Sequence, residues 1–276
     1  MKKKIILIGK KSYVAKNIHF YLKKKFNFKL INYDEFINLS NKRLLNFDYL
    51  INCSINKKYL SNKYSQYNDF DLSIVKKIAN TPIKVIFLSS RKVYKIGDNI
   101  KENAKLRPQC NYSKNKLITE NSLRKILGKR LLILRISNLV GVINKKKSNR
   151  KIHTTFIEMF FNFIKKNIIY NNKKVFKDFL NMDKFCEVLR KSIILNINGT
   201  YNISLGKKIF VNEIIKWLNH YNSKTIKKQK IPYNFNKDSF YLNNIKIKKK
   251  LKIDISKQEL KKYCINLSKE FFLNKN

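Results

Sequence analysis

Three uninterrupted apolar runs constrain this chain more than any other feature: Ile5-Ile6-Leu7-Ile8, Val85-Ile86-Phe87-Leu88 and Leu131-Leu132-Ile133-Leu134. Four apolar residues in a row, with no polar alternation, describe a strand buried on both faces. In a water-soluble chain that means a parallel sheet covered by helices. Segments of helical spacing separate the runs. Val14, Ile18, Tyr21 and Leu22 follow the first, Leu72, Val75 and Ile78 precede the second, and helical periodicity runs from about Tyr112 to Leu127 before the third. Phe28 to Tyr33, ending at Asp34, and Tyr49-Leu50-Ile51 read as two further strands. Strands alternating with helices predict an α/β chain built on a doubly wound parallel sheet.

After about residue 150 the rhythm changes. An apolar, helical stretch spans 156–164, short segments follow at Val175–Phe179 and Tyr201–Ser204, and helices are expected near Lys184–Leu195, Asn212–His220 and Lys257–Phe272. Six glycines and three prolines leave no linker between the halves. The expectation is a sheet domain over 1–150 and a smaller C-terminal lobe over 151–276, with some of its strands and helices returning to the core. A chain of 276 residues buries roughly 70–75% of its unfolded surface and needs no staples.

Composition narrows the function classes. Hydrophobic residues make up 43% and aromatics 13%, which excludes a disordered chain. Lys and Arg together number 62 against 17 acids, a formal charge of +45. Of these, 54 are Lys and 8 are Arg, spread from Lys2 to Lys275 alongside 37 Asn. Proteins that read phosphates or base edges draw on the bidentate fork of Arg. A diffuse Lys excess travelling with Asn and Ile is instead the mark of an AT-rich coding sequence, so no nucleic-acid partner is inferred. The basic field still helps capture an anionic small substrate. Cys53, Cys110, Cys186 and Cys264 are far apart, and with His19, His153 and His220 they form neither a metal site nor a disulfide framework. No apolar run reaches the ~18–20 residues of a membrane span, and the run after Lys2-Lys3-Lys4 stops short of a signal peptide. A reduced, cytoplasmic protein with no membrane partner fits.

The sharpest local feature is Tyr112-Ser113-Lys114-Asn115-Lys116 at the start of a predicted helix. Four residues make one helical turn, so phenol and ammonium share a face. A phenol with its ordinary pKa of ~10 is a poor base at neutral pH. A neighbouring cation favours the phenolate and brings it toward the working range of a general acid/base. Ser90 lies just past the buried strand 85–88, at the edge where open α/β sheets bind ligands. A hydroxyl there can orient a carbonyl oxygen while the tyrosine moves a proton.

With these residues in view the chain resembles the extended short-chain dehydrogenases/reductases, the group of NAD-dependent nucleotide-sugar epimerases, dehydratases and reductases. Phe87-Leu88-Ser89-Ser90-Arg91-Lys92-Val93-Tyr94 is similar to the family's strand-to-Ser/Thr segment ending in Val-Tyr. Glu102, Leu106 and Pro108 before Tyr112, and Glu120 after Lys116, match its Glu…Pro…Tyr-x-x-x-Lys run. Leu134-Arg135-Ile136-Ser137-Asn138-Leu139-Val140-Gly141, Lys177-Asp178-Phe179-Leu180-Asn181-Met182-Asp183 and Gly199-Thr200-Tyr201-Asn202-Ile203 resemble three further blocks in the family's order. The resemblance implies a Rossmann-like fold with a C-terminal substrate-binding lobe. Tyr112 becomes the acid/base, Lys116 its tuning cation and ribose ligand, and Ser90 the group that orients substrate oxygen. It places Gly9, Ser12, Tyr13, Val14, Asp34 and Cys53, with Tyr112 and Lys116, around NAD or NADP, and Arg91, Asn138 and Lys177 toward a nucleotide sugar. A homodimer and a role in polysaccharide precursor synthesis follow by family analogy.

Departures from the family pattern matter. Gly9-Lys10-Lys11-Ser12-Tyr13-Val14-Ala15 stands where the family has Gly-x-x-Gly-x-x-Gly. Gly9 keeps the tight turn, and Ser12 replaces the glycine that admits the pyrophosphate. Asp34 is either an acceptor for an adenosine ribose 2′-hydroxyl, which favours NAD over NADP, or a helix N-cap. Asn138 is either a substrate contact or a core asparagine. Arg91 and Lys92, either substrate-facing or solvated, stand where a 4,6-dehydratase needs an acid and a base, so that subclass is disfavoured. His153 either borders the substrate cleft or lies on the surface. The expected chemistry is hydride transfer at a sugar carbon, C4, in an epimerase or in a 4-keto-sugar reductase of the dTDP-4-dehydrorhamnose reductase type. A non-catalytic member of the fold with an eroded loop, and a nucleic-acid-binding protein, are the rivals from other classes.

Overall fold

The apolar runs become the centre of one sheet in the computed structural model, which describes residues 1–141, 160–161, 168–170, 175–223, 227–229 and 239–273. In chain order the first half holds β1 (Lys4–Ile8), α1 (Tyr13–Leu22), β2 (Asn27–Ile31), α2 (Tyr33–Ile37), α3 (Asn41–Leu44), β3 (Tyr49–Asn52), α4 (Lys57–Ser61), α5 (Phe70–Lys77), β4 (Lys84–Ser90), α6 (Asn111–Leu127) and β5 (Leu131–Ile136). Then come β6 (Asn138–Val140), β7 (Ile168–Tyr170), β8 (Phe176–Lys177), β9 (Phe179–Asn181), α7 (Met182–Ile194), β10 (Gly199–Ile203), β11 (Ile209–Phe210), α8 (Val211–Leu218), β12 (Lys227–Gln229), α9 (Ile245–Leu251) and α10 (Lys257–Phe272).

Two compact units interleave along the chain. The first takes Met1–Lys95, Glu102–Ile136 and Cys186–Asn202, and the second Ile96–Lys101, Ser137–Phe185 and Ile203–Asn276. The boundary expected at 150/151 lies outside the described residues, as do His153 and most of the 156–164 stretch, of which Phe160 and Phe161 are helical.

The first unit carries the sheet, in the order β10-β5-β4-β3-β1-β2. The pairs β1–β2, β1–β3, β3–β4 and β4–β5 are all parallel. Register aligns Ile6 with Leu50, Ile51 with Ile86, and Phe87 with Ile133. Every residue of β3, and all of β5 but its last, is buried, as continuous apolar runs require. Ile6, Ile8, Leu50, Val85, Phe87, Leu131 and Ile133 form one core with Ile74 and Val75 of α5 and Leu123 and Leu127 of α6. Because the four paired inner strands run the same way, Gly9, Cys53 and Ser90 all emerge at one carboxyl edge. The second strand, expected over Phe28 to Tyr33, ends early: β2 stops at Ile31, and the chain turns into α2 at Tyr33.

In the second unit β6 pairs with β9 in parallel, and β8 with β11 antiparallel. β7 pairs with β12 in parallel. α8 packs against α10, which begins in a capping box where Ser256 Oγ accepts from Glu259 N and Glu259 accepts from Ser256 N. Trp217 is buried on α8, the core role its position on an apolar face predicts. Asp178, between β8 and β9, is fully buried. Its carboxylate accepts from the backbone N–H of Leu205 at 2.9 Å, Gly206 at 3.2 Å and Leu242 at 3.0 Å. Among the described residues no helix is long and apolar enough to cross a membrane.

Candidate active site

α6 positions the tyrosine and lysine. Cys110 caps it in extended backbone, Ser113 Oγ bonds Cys110 N at 3.1 Å and Cys110 O at 2.9 Å, and Gly128 ends it at φ 51°. Tyr112 is the second helical residue and half-buried, while Lys116, one turn on, is buried. The helix lies against β4, and Lys116 Nζ sits 4.4 Å from the centroid of the Phe87 ring. Ser90 ends β4, with its Oγ accepting from Lys92 N at 3.2 Å. The short helical turn that follows begins with Arg91, which is buried, and continues to exposed Lys92. That excludes the solvated reading for Arg91. Burial raises the Cys110 thiol, but bonding by Ser113 and the charges of Lys92 and Arg91 bring it below its ordinary value.

The loop from β1 to α1 has the geometry of a close backbone approach. Gly9 sits at φ +115°, and a Cβ there meets Cys53 C, Ser54 N and Ser12 Cβ, each at 3.2 Å. Its N–H bonds Ile31 O at 2.7 Å, and Cys53 N bonds Ile8 O at 2.9 Å, extending both ladders past the strand ends. Ser12 is the α1 N-cap and makes no side-chain capping bond. Tyr13 and Val14 open the helix, whose first amides face the carboxyl edge, the arrangement that receives a phosphate. Burial pushes the Cys53 thiol up, so it stays protonated.

Asp34 is placed otherwise than expected. It neither ends β2 nor caps α2: Asn32, with ψ at 169°, is the cap, and Asp34 is exposed in the first turn. The backbone breaks out of the strand at Asn32, one residue before the expected end at Tyr33. Glu35 is the more engaged carboxylate, with Lys10 Nζ at 2.8 Å from both oxygens and Asn32 Nδ2 at 3.3 Å. The Lys10 bond holds its carboxyl below the ordinary value.

Asn138 and Lys177 belong to the second unit. Asn138 donates both its backbone N–H and its side-chain amide to Asp178 O, at 3.3 and 3.0 Å. Lys177 is half-buried on β8, in register with Ile209. Among the described residues no group of three His, Cys, Asp or Glu side chains is arranged to hold a metal.

Two buried polar networks escaped the sequence reading. In the first, Arg135 makes a bidentate pair with Glu120, Nη2–Oε2 at 2.6 Å and Nε–Oε1 at 3.0 Å. Ser89 Oγ donates to Glu120 Oε1 at 2.5 Å, and Arg135 Nη1 reaches Tyr94 OH at 2.9 Å and Glu102 O at 3.2 Å. Tyr94 OH donates to Asn202 Oδ1 at 2.7 Å, and Asn202 N to Glu102 Oε1 at 2.9 Å. Residues from five separated sequence blocks thus meet behind Ser90. In the second, Asp69 caps α5 through Leu72 N and accepts from Tyr64 OH and Thr119 Oγ1, while Asp71 pairs with Lys116. The Asp69-x-Asp71 pair ahead of an apolar helical run signals an N-cap, and nothing in that pattern points to Lys116.

Residues 14–204 match the family model described as the NAD dependent epimerase/dehydratase family. No curated protein matches the sequence. Among solved structures, the chain is similar to UDP-N-acetylglucosamine 4-epimerase from Methanobrevibacter ruminantium M1 in complex with UDP-N-acetylmuramic acid. The TM-score is 0.81 at 18% identity, covering 98% of this chain and 99% of that one. A dTDP-4-dehydrorhamnose reductase from Clostridium acetobutylicum ATCC 824 gives 0.73 at 17% identity, over 96% and 99%. The dTDP-glucose 4,6-dehydratase of Bacillus anthracis str. Ames, in complex with NAD, gives 0.72 at 16% identity, over 99% and 97%. At these identities the likeness is one of fold, shared by an epimerase, a reductase and a dehydratase alike.

Proposed function

The chain belongs to the NAD-dependent epimerase/dehydratase family, and from that membership we propose that it transfers hydride at C4 of a nucleotide-activated sugar, as an epimerase. The observation that carries the reading is Tyr112 and Lys116 one turn apart on α6, packed against the strand that ends in Ser90. The residues around Gly9 suit a dinucleotide: the glycine leaves open a cradle that a Cβ would fill, and the α1 amides lie beside it. When bound, the nicotinamide takes up or returns the hydride. Tyr112 holds and moves the proton of the sugar hydroxyl, Lys116 places a positive charge one helical turn away, and Ser90 Oγ orients the sugar oxygen. Gly9, Ser12, Tyr13, Val14 and Cys53 would line the dinucleotide.

Arg91 and Lys92 follow Ser90 directly, so the acid and base of a dehydratase are missing there, and both cations suit an anionic substrate. Reduction of a 4-keto sugar is the second reading, favoured by the short path from Asp34 to Ile51, about 17 residues.

Mass spectrometry of the nucleotide released on denaturing the purified protein tests this. Near-stoichiometric NAD supports the epimerase. An empty protein that titrates with NADH or NADPH supports the reductase, and binding of neither defeats both. Tyr112→Phe should keep the nucleotide while lowering turnover about 10²–10⁴-fold.

A further inference from the structure

Lys116 is buried, yet its ammonium has a counterion that the reaction as described does not use. Nζ lies 3.3 Å from Asp71 Oδ2, with the two side chains only 8% and 12% exposed. The other oxygen of Asp71 accepts from Asn52 Nδ2 at 2.9 Å, and Asn52 Oδ1 accepts from Ser54 N and Oγ. The relay Asn52–Asp71–Lys116 ties the end of β3 and the first turn of α5 to the middle of α6.

The other polar groups facing Lys116 do not replace this contact. Asp69, at the α5 N-cap, is occupied by Leu72 N, Tyr64 and Thr119. Tyr59 of α4 lies 5.7 Å away at its ring centroid, and burial keeps its phenol and the Cys53 thiol protonated. Tyr112 shares the helix. Removal from water lowers a lone buried lysine by as much as 3–5 pKa units. Burial opposes the charge on both partners and raises the Asp71 carboxyl, but at Lys116 the charges of Asp71, Tyr112 and Asp69 outweigh it and hold the ammonium above its ordinary value.

We propose that Asp71 is a positioning residue for this chain's reaction, keeping the Lys116 ammonium charged and fixed beside Tyr112 in a site too dry to hold a lone cation. The proposal rests on the reading of Tyr112 and Lys116 given above. Asp71 touches neither sugar nor nicotinamide in this role and acts through the lysine.

The test compares wild type, Asp71→Asn, Lys116→Met and the double variant from about pH 5 to pH 9, by melting temperature and by fluorescence titration with NADH, with NADPH in parallel. Without Asp71 the lysine is expected to titrate inside this window, below its unfolded value of ~10.4. The native state then sheds a proton that the unfolded chain keeps, so stability rises with pH. Asp71→Asn should therefore melt below Asp71→Asn/Lys116→Met at the acid end, with the gap closing toward pH 9. Its NADH affinity should fall at least tenfold over the same range while wild type stays flat, and Asp71→Glu should restore the flat profile. A gap independent of pH, together with NADH affinity that tracks wild type, overturns the proposal. If wild type binds neither nucleotide, the functional reading fails, and the melting comparison alone still decides whether Asp71 sustains the charge.

Discussion

Gly9 shows how much rests on a single backbone position. At φ +115° it lies where an L side chain is strained, and a Cβ there would be crowded by backbone atoms of Cys53 and Ser54 that no rotamer change can move. Gly9→Ala should lower stability by roughly 1–2 kcal/mol and weaken NADH binding, because the loop must open away from the end of β3. Thermal melts and NADH titration check this, and unchanged values in both would mean that the loop relaxes freely. Ser12 differs in kind. It stands in ordinary extended backbone, so the loss of the family's glycine at that place carries no backbone strain. Glu35 and Lys10 illustrate a residue-scale outcome that the pattern hides. The carboxylate that engages the loop is one helical position beyond Asp34, since β2 ends early.

At the scale of elements, the contact between α6, β4 and β5 depends on the Glu120–Arg135 pair. Both side chains are almost wholly buried, at 0% and 3% exposed, and Ser89 adds the hydroxyl next to Ser90. Removing Glu120 leaves the buried Arg135 charge without its counterion, which costs about 3–5 kcal/mol. Glu120→Gln should show that loss in urea unfolding, and Glu120→Met/Arg135→Met should recover most of it. A cost under about 1 kcal/mol for the single variant would mean that water reaches the guanidinium. The family blocks noted in the sequence around Tyr94, Glu102, Glu120, Arg135 and Asn202 gain a physical meaning here. They hold the strand end and the tyrosine helix in one register, so they are spaced by the fold and not by the chemistry.

At the scale of the whole molecule, one side chain of the second unit gathers distant backbone: Asp178 accepts from the amides of Leu205, Gly206 and Leu242. Burial pushes its carboxyl up to about 7, against ~3.9 in an unfolded chain. Between those values the native state holds a proton that the unfolded state has released. This group's contribution is therefore complete below about pH 4 and lost as pH rises through about 7. The melting advantage of wild type over Asp178→Asn should accordingly be larger near pH 5 than near pH 8, and an advantage that grows with pH would refute it. By itself the sequence determined the parallel α/β sheet, the turn at Gly9 and the shared face of Tyr112 and Lys116. Each of these is set by periods of one, two or four residues that local geometry converts directly into burial or facing. Only the tertiary structure decided that Asp71 meets Lys116 across 45 residues, that Tyr94 meets Asn202 across 108, and that Asn32 rather than Asp34 caps α2. Those outcomes depend on the order in which the strands cross and the residue at which each stops, and no local period encodes either.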